Sequence, residues 1–253
     1  MISSTMKSKI KGIAYVCISI VFWITMWQIL AVSLDLSFVF PRFDDTLKTF
    51  LSLVITSKFW ETILTSMCRI LLGFAVGTFL GIFFAVITNY SLLLRAIISP
   101  AMTVIKSTPV ASFILVLWCL IGKNSVPSVI AVLMVMPIVW QNLLDGYSSI
   151  SGELTELCDV FEVGTIKRFK ILTFPALRRY LAPAMITASS LAWKSGIAAE
   201  IIVYAKNSIG KEITDAKNFF ESETMFAWTI AVILLSIFIE ILIRKMSRMV
   251  KKI

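Results

Sequence analysis

The residues able to do covalent or metal chemistry are sparse in this chain. There is no histidine, so the commonest metal ligand and the commonest general base near neutral pH are both missing. Serine–histidine and cysteine–histidine nucleophile pairs cannot form within the chain. The four cysteines, Cys17, Cys68, Cys119 and Cys158, show no C-x-x-C spacing. Three of them lie in apolar stretches, which argues against a disulfide framework or a zinc site. A phosphate loop requires G-x-x-x-x-G-K-[ST]. The Gly-Lys pairs here, Gly122-Lys123 and Gly210-Lys211, have no glycine five positions upstream, so no nucleotide is expected to bind.

What the sequence has instead is hydrocarbon. Of 253 residues, 58% are hydrophobic and 15% charged, with a mean hydropathy of +0.90. A soluble domain carries about 25% charge, so there is too little polar surface here to cover a water-soluble globule. A soluble enzyme, a disordered chain and a collagen-like fibre are excluded. Six apolar stretches stand out: about Ile13 to Val32, Ile63 to Thr88, Ile97 to Ile121, Val126 to Leu144, Leu181 to Tyr204 and Thr224 to Ile243. Each is near the ~20 residues that a helix needs to cross the hydrocarbon layer. Helices are expected because open strands leave backbone groups unsatisfied in lipid. The expected fold is therefore all-α, a polytopic membrane bundle of six transmembrane helices.

The first stretch has a basic start (Lys7, Lys9, Lys11) and a small-x-small triplet, Ala31-Val32-Ser33, but its apolar run is too long for a signal core, and it is read as a retained helix. Lysine and arginine set the orientation. With the N-terminus cytoplasmic, the inner loops and tails hold about twice the basic residues of the outer ones. Both termini are expected inside. This topology signal accounts for the net charge of +9 and leaves membrane lipid, not nucleic acid, as the expected surroundings. Residues 1–60 form the first helix and an outer connecting segment, in which Asp44 or Asp45 is expected to cap an amphipathic stretch from Thr46 to Val54. Residues 61–245 form the main membrane domain, with a cytoplasmic loop over 145–180, and 246–253 a basic cytoplasmic tail.

That loop is too polar to span and too patterned for a linker. Leu154, Leu157, Val160, Phe161 and Ile166 recur near helical spacing, with Glu153, Glu156 and Asp159 between them. Ser151 is placed to cap, Gly164 to break and Pro175 to end the second piece. Two short helices result, presenting apolar knobs that another protein can receive. The acidic residues argue against their resting on negative inner-leaflet lipid.

At this point the sequence resembles a known family, the membrane permease subunits of bacterial ABC importers, in the branch serving sulfonate, taurine and nitrate uptake. The family's cytoplasmic signature is E-A-A, three residues, G, then a spacer ending in L-P. Here the corresponding residues are Glu156-Leu157-Cys158, Glu162 at the glycine position, and Phe174-Pro175. Gly164, two residues on, is expected to supply the turn. Ser66-Met67-Cys68-Arg69 through Gly73-Phe74 is similar to the family's S-x-x-R-x-x-x-G-F. Lys106-Ser107-Thr108-Pro109 resembles R-x-x-P, while Leu191-Ala192-Trp193 with Ala199-Glu200 and Ser208-Ile209-Gly210 match later segments. The resemblance covers about Val39 to the C-terminus. It implies two permease copies, expected as a homodimer, two ATP-binding subunits that carry ATP and magnesium, and an extracytoplasmic solute-binding protein or lipoprotein. No cofactor is implied in this chain. Glu156, Leu157, Cys158, Asp159, Val160, Phe161, Glu162, Gly164 and Pro175 are then the residues that couple to the ATPase, as a lever and not a catalyst.

Charges at membrane depth cost on the order of 2.5–3.5 kcal/mol each on insertion scales and should face protein or water. Lys106, Lys194 and Glu200 are the candidates for a translocation pathway, one favourable to a small organic anion. Arg69 is read with the packing residues, reaching an interface or a helix end. Gly73, Gly77 and Gly81 recur every four residues and permit a close helix approach, read as internal packing. Pro100, Pro109, Pro127 and Pro137 are expected to break the third and fourth helices. Two other classes compete with a permease: an ATP-independent channel or scaffold, and a membrane-embedded enzyme, the latter disfavoured by the missing histidine and carboxylate pair.

Overall fold

A computed structural model describes residues 2–34, 36 and 38–250, with side chains over 14–34, 36 and 38–246. Asp35 and the tail residues Lys251 and Lys252 lie outside the described residues, as do the side chains of Lys7, Lys9, Lys11 and Arg248. The described residues form helices and no strands. In chain order these are α1 (Ile2–Leu34), α2 (Phe43–Val54), α3 (Ser57–Tyr90), α4 (Leu92–Ser107), α5 (Val110–Ile121), α6 (Val126–Ser148), α7 (Gly152–Val160), α8 (Thr165–Arg168), α9 (Phe174–Val203), α10 (Ile209–Asn218) and α11 (Ser222–Val250), with a π-helical turn, Phe169–Thr173, joining α8 to α9.

Among the described residues, four helices are long and apolar enough to cross a membrane: α1 over Ala14–Leu34, α3, α6, and α11 over Ser222–Met246. The expected third span is instead two helices, α4 and α5, bent by 105°. Counted as one broken span, the pair brings the number to five. The bend has a local cause. A residue before proline is driven out of the helical region, and Thr108 is extended at ψ 134° ahead of Pro109. The other three prolines do not break helices, contrary to expectation. Pro127 lies in the first turn of α6, where its missing N–H costs nothing, and Pro100 and Pro137 are carried inside α4 and α6. The expected fifth span lies in α9, a continuous helix of 30 residues. It is long enough to cross but less apolar than the four. Its inward face is Ala184, Ala188, Ser189, Ala192, Ser195, Gly196 and Ala199, all buried. A helix wrapped in protein does not need lipid-like side chains.

The chain divides into two compact units. One comprises Met1–Phe59 with Glu212–Ala231. Its core is aromatic: Trp27 packs with ring centroids 5.5 Å from Phe43 and 5.6 Å from Phe226, and Phe59 stacks on Trp228 at 4.9 Å. The Trp27 indole N–H donates to the Pro41 carbonyl at 3.0 Å. Neither Asp44 nor Asp45 caps α2. Both lie in its first turn, and Arg42 occupies the cap position without a side-chain bond. Gln28 of α1 does the capping instead. Its Oε1 accepts from the Phe43 N–H at 2.9 Å while its Nε2 donates to Asp44 Oδ1 at 3.0 Å. That bond, with Lys48 beside it, holds the Asp44 carboxyl below its usual range. The contribution to folding is therefore present above the ordinary carboxylate range and fades as acid protonates Asp44.

The other unit comprises Trp60–Lys211 with Val232–Ile253. Helices α6 and α9 are its axis and pack along their lengths. One cluster, Ile114, Val126, Ile130, Met134, Ala199 and Val203, joins α5, α6 and α9. The glycine stripe of α3 lies against α6. A Cβ on Gly73 would sit 2.3 Å from the Ser128 carbonyl oxygen, on Gly77 2.9 Å from that of Val132, and on Gly81 2.8 Å from that of Met136. Backbone thus meets backbone at three successive turns, a contact that only glycine permits.

Candidate functional site

The loop over 145–180 is a built structure. Ser151 caps α7, its Oγ accepting from the Leu154 N–H at 3.4 Å, and Glu153 stands in the first turn, where a negative charge suits the helix dipole. The far end of α7 closes as a Schellman motif. The Val163 N–H donates to the Cys158 carbonyl at 2.9 Å and the Glu162 N–H to that of Asp159 at 3.1 Å. This motif places its penultimate residue in the left-handed region, and that residue is Glu162, at φ 49°. The signature that the sequence resembles has glycine at this position, the residue that takes this conformation without steric cost. Gly164 does not supply the turn: its φ is −56°, open to any residue, and it caps α8 instead. Arg168 of α8 donates to Asp159 Oδ1 of α7 at 2.6 Å, tying the two helices across the turn. Pro175 does not end a helix either. It sits in the first turn of α9, so α8, the π turn and α9 run on without a break.

Neither α7 nor α8 has a buried residue. Val160, Phe161 and Ile166 are 77%, 71% and 75% exposed, and Leu154 and Leu157 about half. A cavity of about 790 Å³, lined by Tyr90 of α3, Tyr147 of α6, Asp159, Ile166 and Arg168, separates the helix pair from the ends of α3 and α6. The pair is therefore capped, cross-linked by an ion pair and held at its ends, with its apolar side chains unsatisfied by its own chain. Glu156 lies on the exposed surface of α7 and Cys158 is half-buried.

Along α9 the polar candidates separate. Thr187, Leu191 and Lys194 are exposed at helical spacing, although Ala192, Trp193, Ser195, Gly196 and Ile197 around Lys194 are buried. Lys194 thus projects from one face of the most protein-covered region of the helix. Lys106 is exposed in the last turn of α4, where a cation complements the free carbonyls. Glu200 faces inward and is wholly buried. Its Oε2 accepts from Ser66 Oγ at 2.9 Å and from the Gly210 N–H at 3.3 Å. Ser66 Oγ also accepts from the Ile209 N–H at 3.0 Å. Arg69, one turn along α3, donates to the Lys206 carbonyl at 2.9 Å. Together these bonds fasten the 204–210 loop to α3 and α9. Gly210 allows it, since a Cβ there would lie 2.4 Å from Glu200 Cβ.

Two features of this region were not foreseen. Ser66 and Glu200 each belong to a motif, but nothing in a spacing of 134 residues links them as partners. Tyr204 ends α9 in the left-handed region at φ 54°, and its ring has Lys123 Nζ at 5.7 Å and Lys211 Nζ at 5.6 Å, a cation–π pair.

An all-helical chain with several membrane-length apolar helices and an exposed, internally braced helix pair between α6 and α9 has the architecture of a multi-pass membrane protein. Its family is shown directly: residues 77–252 match the binding-protein-dependent transport system inner membrane component, and the chain belongs to that family. It is a multi-pass protein of the cytoplasmic membrane and a permease subunit of the ABC importer type. It is 22% identical over 207 residues to a Bacillus subtilis protein named as an aliphatic sulfonates transport permease, SsuC, covering 81% of this chain and 74% of the relative. It is 25% identical over 161 residues to the bicarbonate transport system permease protein CmpB of Synechococcus elongatus, covering 62% of this chain. The match spans 57% of that relative's length.

Proposed function

We propose that this chain forms half of the solute pathway of an ATP-driven importer and that α7 and α8 dock into a separate ATP-binding subunit. The observation that carries the reading is the exposure of Leu157, Val160, Phe161 and Ile166 on a helix pair that is otherwise fully braced. Apolar side chains on a rigid scaffold suit a partner groove, because little ordering entropy remains to be lost on docking. A lever must also resist sliding, and the serine cap, the Schellman turn and the Asp159–Arg168 pair supply that resistance. Movement of the partner then passes through the π turn directly into α9, which carries Lys194.

The membrane arrangement that fits is six spans with both termini cytoplasmic, the bent α4–α5 pair counting as one and α9 as another. The about two-to-one basic bias toward the α7–α9 side and the tails supports it. Two copies of the chain, two ATPase subunits holding ATP and magnesium, and an external solute-binding protein complete the assembly. The solute class is a small anion. Lys194 supports this, being an exposed cation among buried neighbours on α9, and the relatives named for sulfonates and bicarbonate point the same way.

The test is the double substitution Leu157→Asp with Phe161→Asp, assayed in proteoliposomes with the partner subunits. ATP-driven uptake is expected to be lost while the chain still inserts and folds. Undiminished, ATP-dependent uptake in this variant contradicts the docking role, and uptake that needs no ATP at all favours a channel.

A further inference from the structure

We infer that α2 is an interfacial helix, lying in the headgroup–acyl boundary of the bilayer on the side where α11 begins, with Leu47, Leu51 and Ile55 set into lipid. One side of α2 is taken up by protein. Phe43 meets Trp27 of α1 at 5.5 Å, Phe50 meets Phe59 of α3 at 6.2 Å, and Thr46 between them is wholly buried. The far side is polar, with Lys48 Nζ 3.6 Å from Asp44 Oδ2 and 3.1 Å from Asp45 Oδ1. Between the two runs a third stripe, Leu47, Leu51 and Ile55, at every fourth position. All three side chains are exposed, Ile55 by 86%. The apolar arc of α2 is thus wider than the part that its own chain covers, which is the form of a helix resting in a membrane surface.

What covers the stripe follows from its depth, which contacts within one compact unit fix. Trp27, against which Phe43 packs, also lies 5.6 Å from Phe226 of α11, and Phe59, against which Phe50 packs, stacks on Trp228 of α11 at 4.9 Å. Ser222 Oγ donates to the Phe38 carbonyl, and Thr49 Oγ1 of α2 donates to Glu223 Oε2 at 3.4 Å. Helix α2 is therefore level with the first two turns of α11, whose apolar span is the 25 residues Ser222–Met246. A helix of that length reaches about 37 Å, against roughly 30 Å of hydrocarbon and about 40–45 Å with the headgroups. Centred in the bilayer, α11 starts in the headgroup layer, and its first two turns, with α2 beside them, cross the edge of the hydrocarbon. An apolar stripe at that depth meets acyl chains. A helix of a second copy is a poorer occupant, because helices pair in membranes through small residues and the stripe has none. The turn ahead of α11 points to the same surface. Phe220 is 77% exposed and held at φ 59°, where a bulky residue is strained, in a turn closed by the Glu221 N–H on the Ala216 carbonyl at 2.8 Å. An exposed aromatic ring two residues before a membrane span suits the aromatic belt at the membrane–water interface. The inference stands on membrane insertion, and not on what solute is carried or how it is driven.

The experiment reads depth along α2 in the full chain, with Cys17, Cys68, Cys119 and Cys158 replaced by serine, in vesicles of phosphatidylcholine and phosphatidylglycerol. Nitroxide labels are placed singly through Leu51→Cys, Ile55→Cys, Lys48→Cys and Ser52→Cys. Each is relaxed by oxygen, which gathers in hydrocarbon, and by a nickel chelate, which stays in water. The labels replacing Leu51 and Ile55 are expected to respond more to oxygen, and those replacing Lys48 and Ser52 more to nickel, so that the ratio inverts between neighbouring residues. One reagent dominating at all four positions overturns the inference: nickel puts the stripe in water, and oxygen puts the polar side in hydrocarbon. Shielding of the Leu51 and Ile55 labels from both reagents also overturns it, since a second copy or another protein then covers the stripe. Should the serine-substituted chain not insert, a diazirine side chain at Leu51 in the otherwise unaltered chain decides the matter. Photolysis is expected to attach phospholipid, and attachment to protein or to water alone contradicts the interfacial placement.

Discussion

At the scale of single residues, the account rests on positions where backbone and side chain disagree. Glu162 holds a left-handed conformation that costs an ordinary residue about 1–2 kcal/mol. Glu162→Gly removes that strain and loses part of the gain to the glycine's own entropy. A net stabilisation of about 0.5–1 kcal/mol is expected, visible as a higher thermal unfolding midpoint; a lower midpoint would mean that the carboxylate has a role beyond the turn. Glu200 is the opposite case, a buried side chain whose partners are all in place except at Oε1, which has no hydrogen bond. Ser66→Ala takes one donor from Oε2 and one acceptor from Ile209, and is expected to cost about 1–3 kcal/mol. The loss should appear in thermal unfolding and as faster proteolysis of the 204–210 loop. Full stability in Ser66→Ala would show that the loop is held by something else. The sequence marked both Glu162 and Glu200 as departures or oddities. It did not reveal that one is a Schellman position or that the other pairs with Ser66, because both facts depend on hydrogen bonds closed by folding.

Among the elements, the contact of α3 with α6 is the most exacting. Gly73→Ala would drive a methyl to 2.3 Å from a backbone carbonyl that has no rotamer to yield. A cost of about 1–3 kcal/mol is expected for such overpacking. Gly152, with nothing within 4 Å of an added Cβ, is the matched control, and Gly152→Ala is expected to leave the unfolding midpoint where it is. A neutral Gly73→Ala would break the reading of the glycine stripe as an internal seam. That seam was legible in the sequence, since small residues at every fourth position have few other uses in a membrane helix. The apolar stretches of α1, α3, α6 and α11 were legible too, because hydrocarbon imposes length and composition together. The proline effects were not. Whether a proline bends a helix depends on its position within the turn, and only Pro109 falls where the preceding residue is forced to be extended. The capping of α2 by Gln28 was equally hidden, since the cap comes from another helix.

For the molecule as a whole, the proposed function joins family membership to the exposed helix pair: on that proposal, solute moves only when another chain moves α7 and α8. The pair's five exposed apolar residues were readable from spacing, and so was the Ser151 cap. The bracing by Arg168 and the direct run through the π turn into α9 were not, because no sequence pattern distinguishes a π turn from a helix end beside a proline. The most direct measurement is photo-crosslinking from a probe residue placed at Val160, which is 77% exposed on α7, in membranes that contain the whole transporter. The account predicts a crosslink to an ATP-binding subunit, with the yield changing when ATP is added. A probe at Val160 that reacts only with lipid, or that is reached by a membrane-impermeant reagent added from outside intact cells, would contradict it.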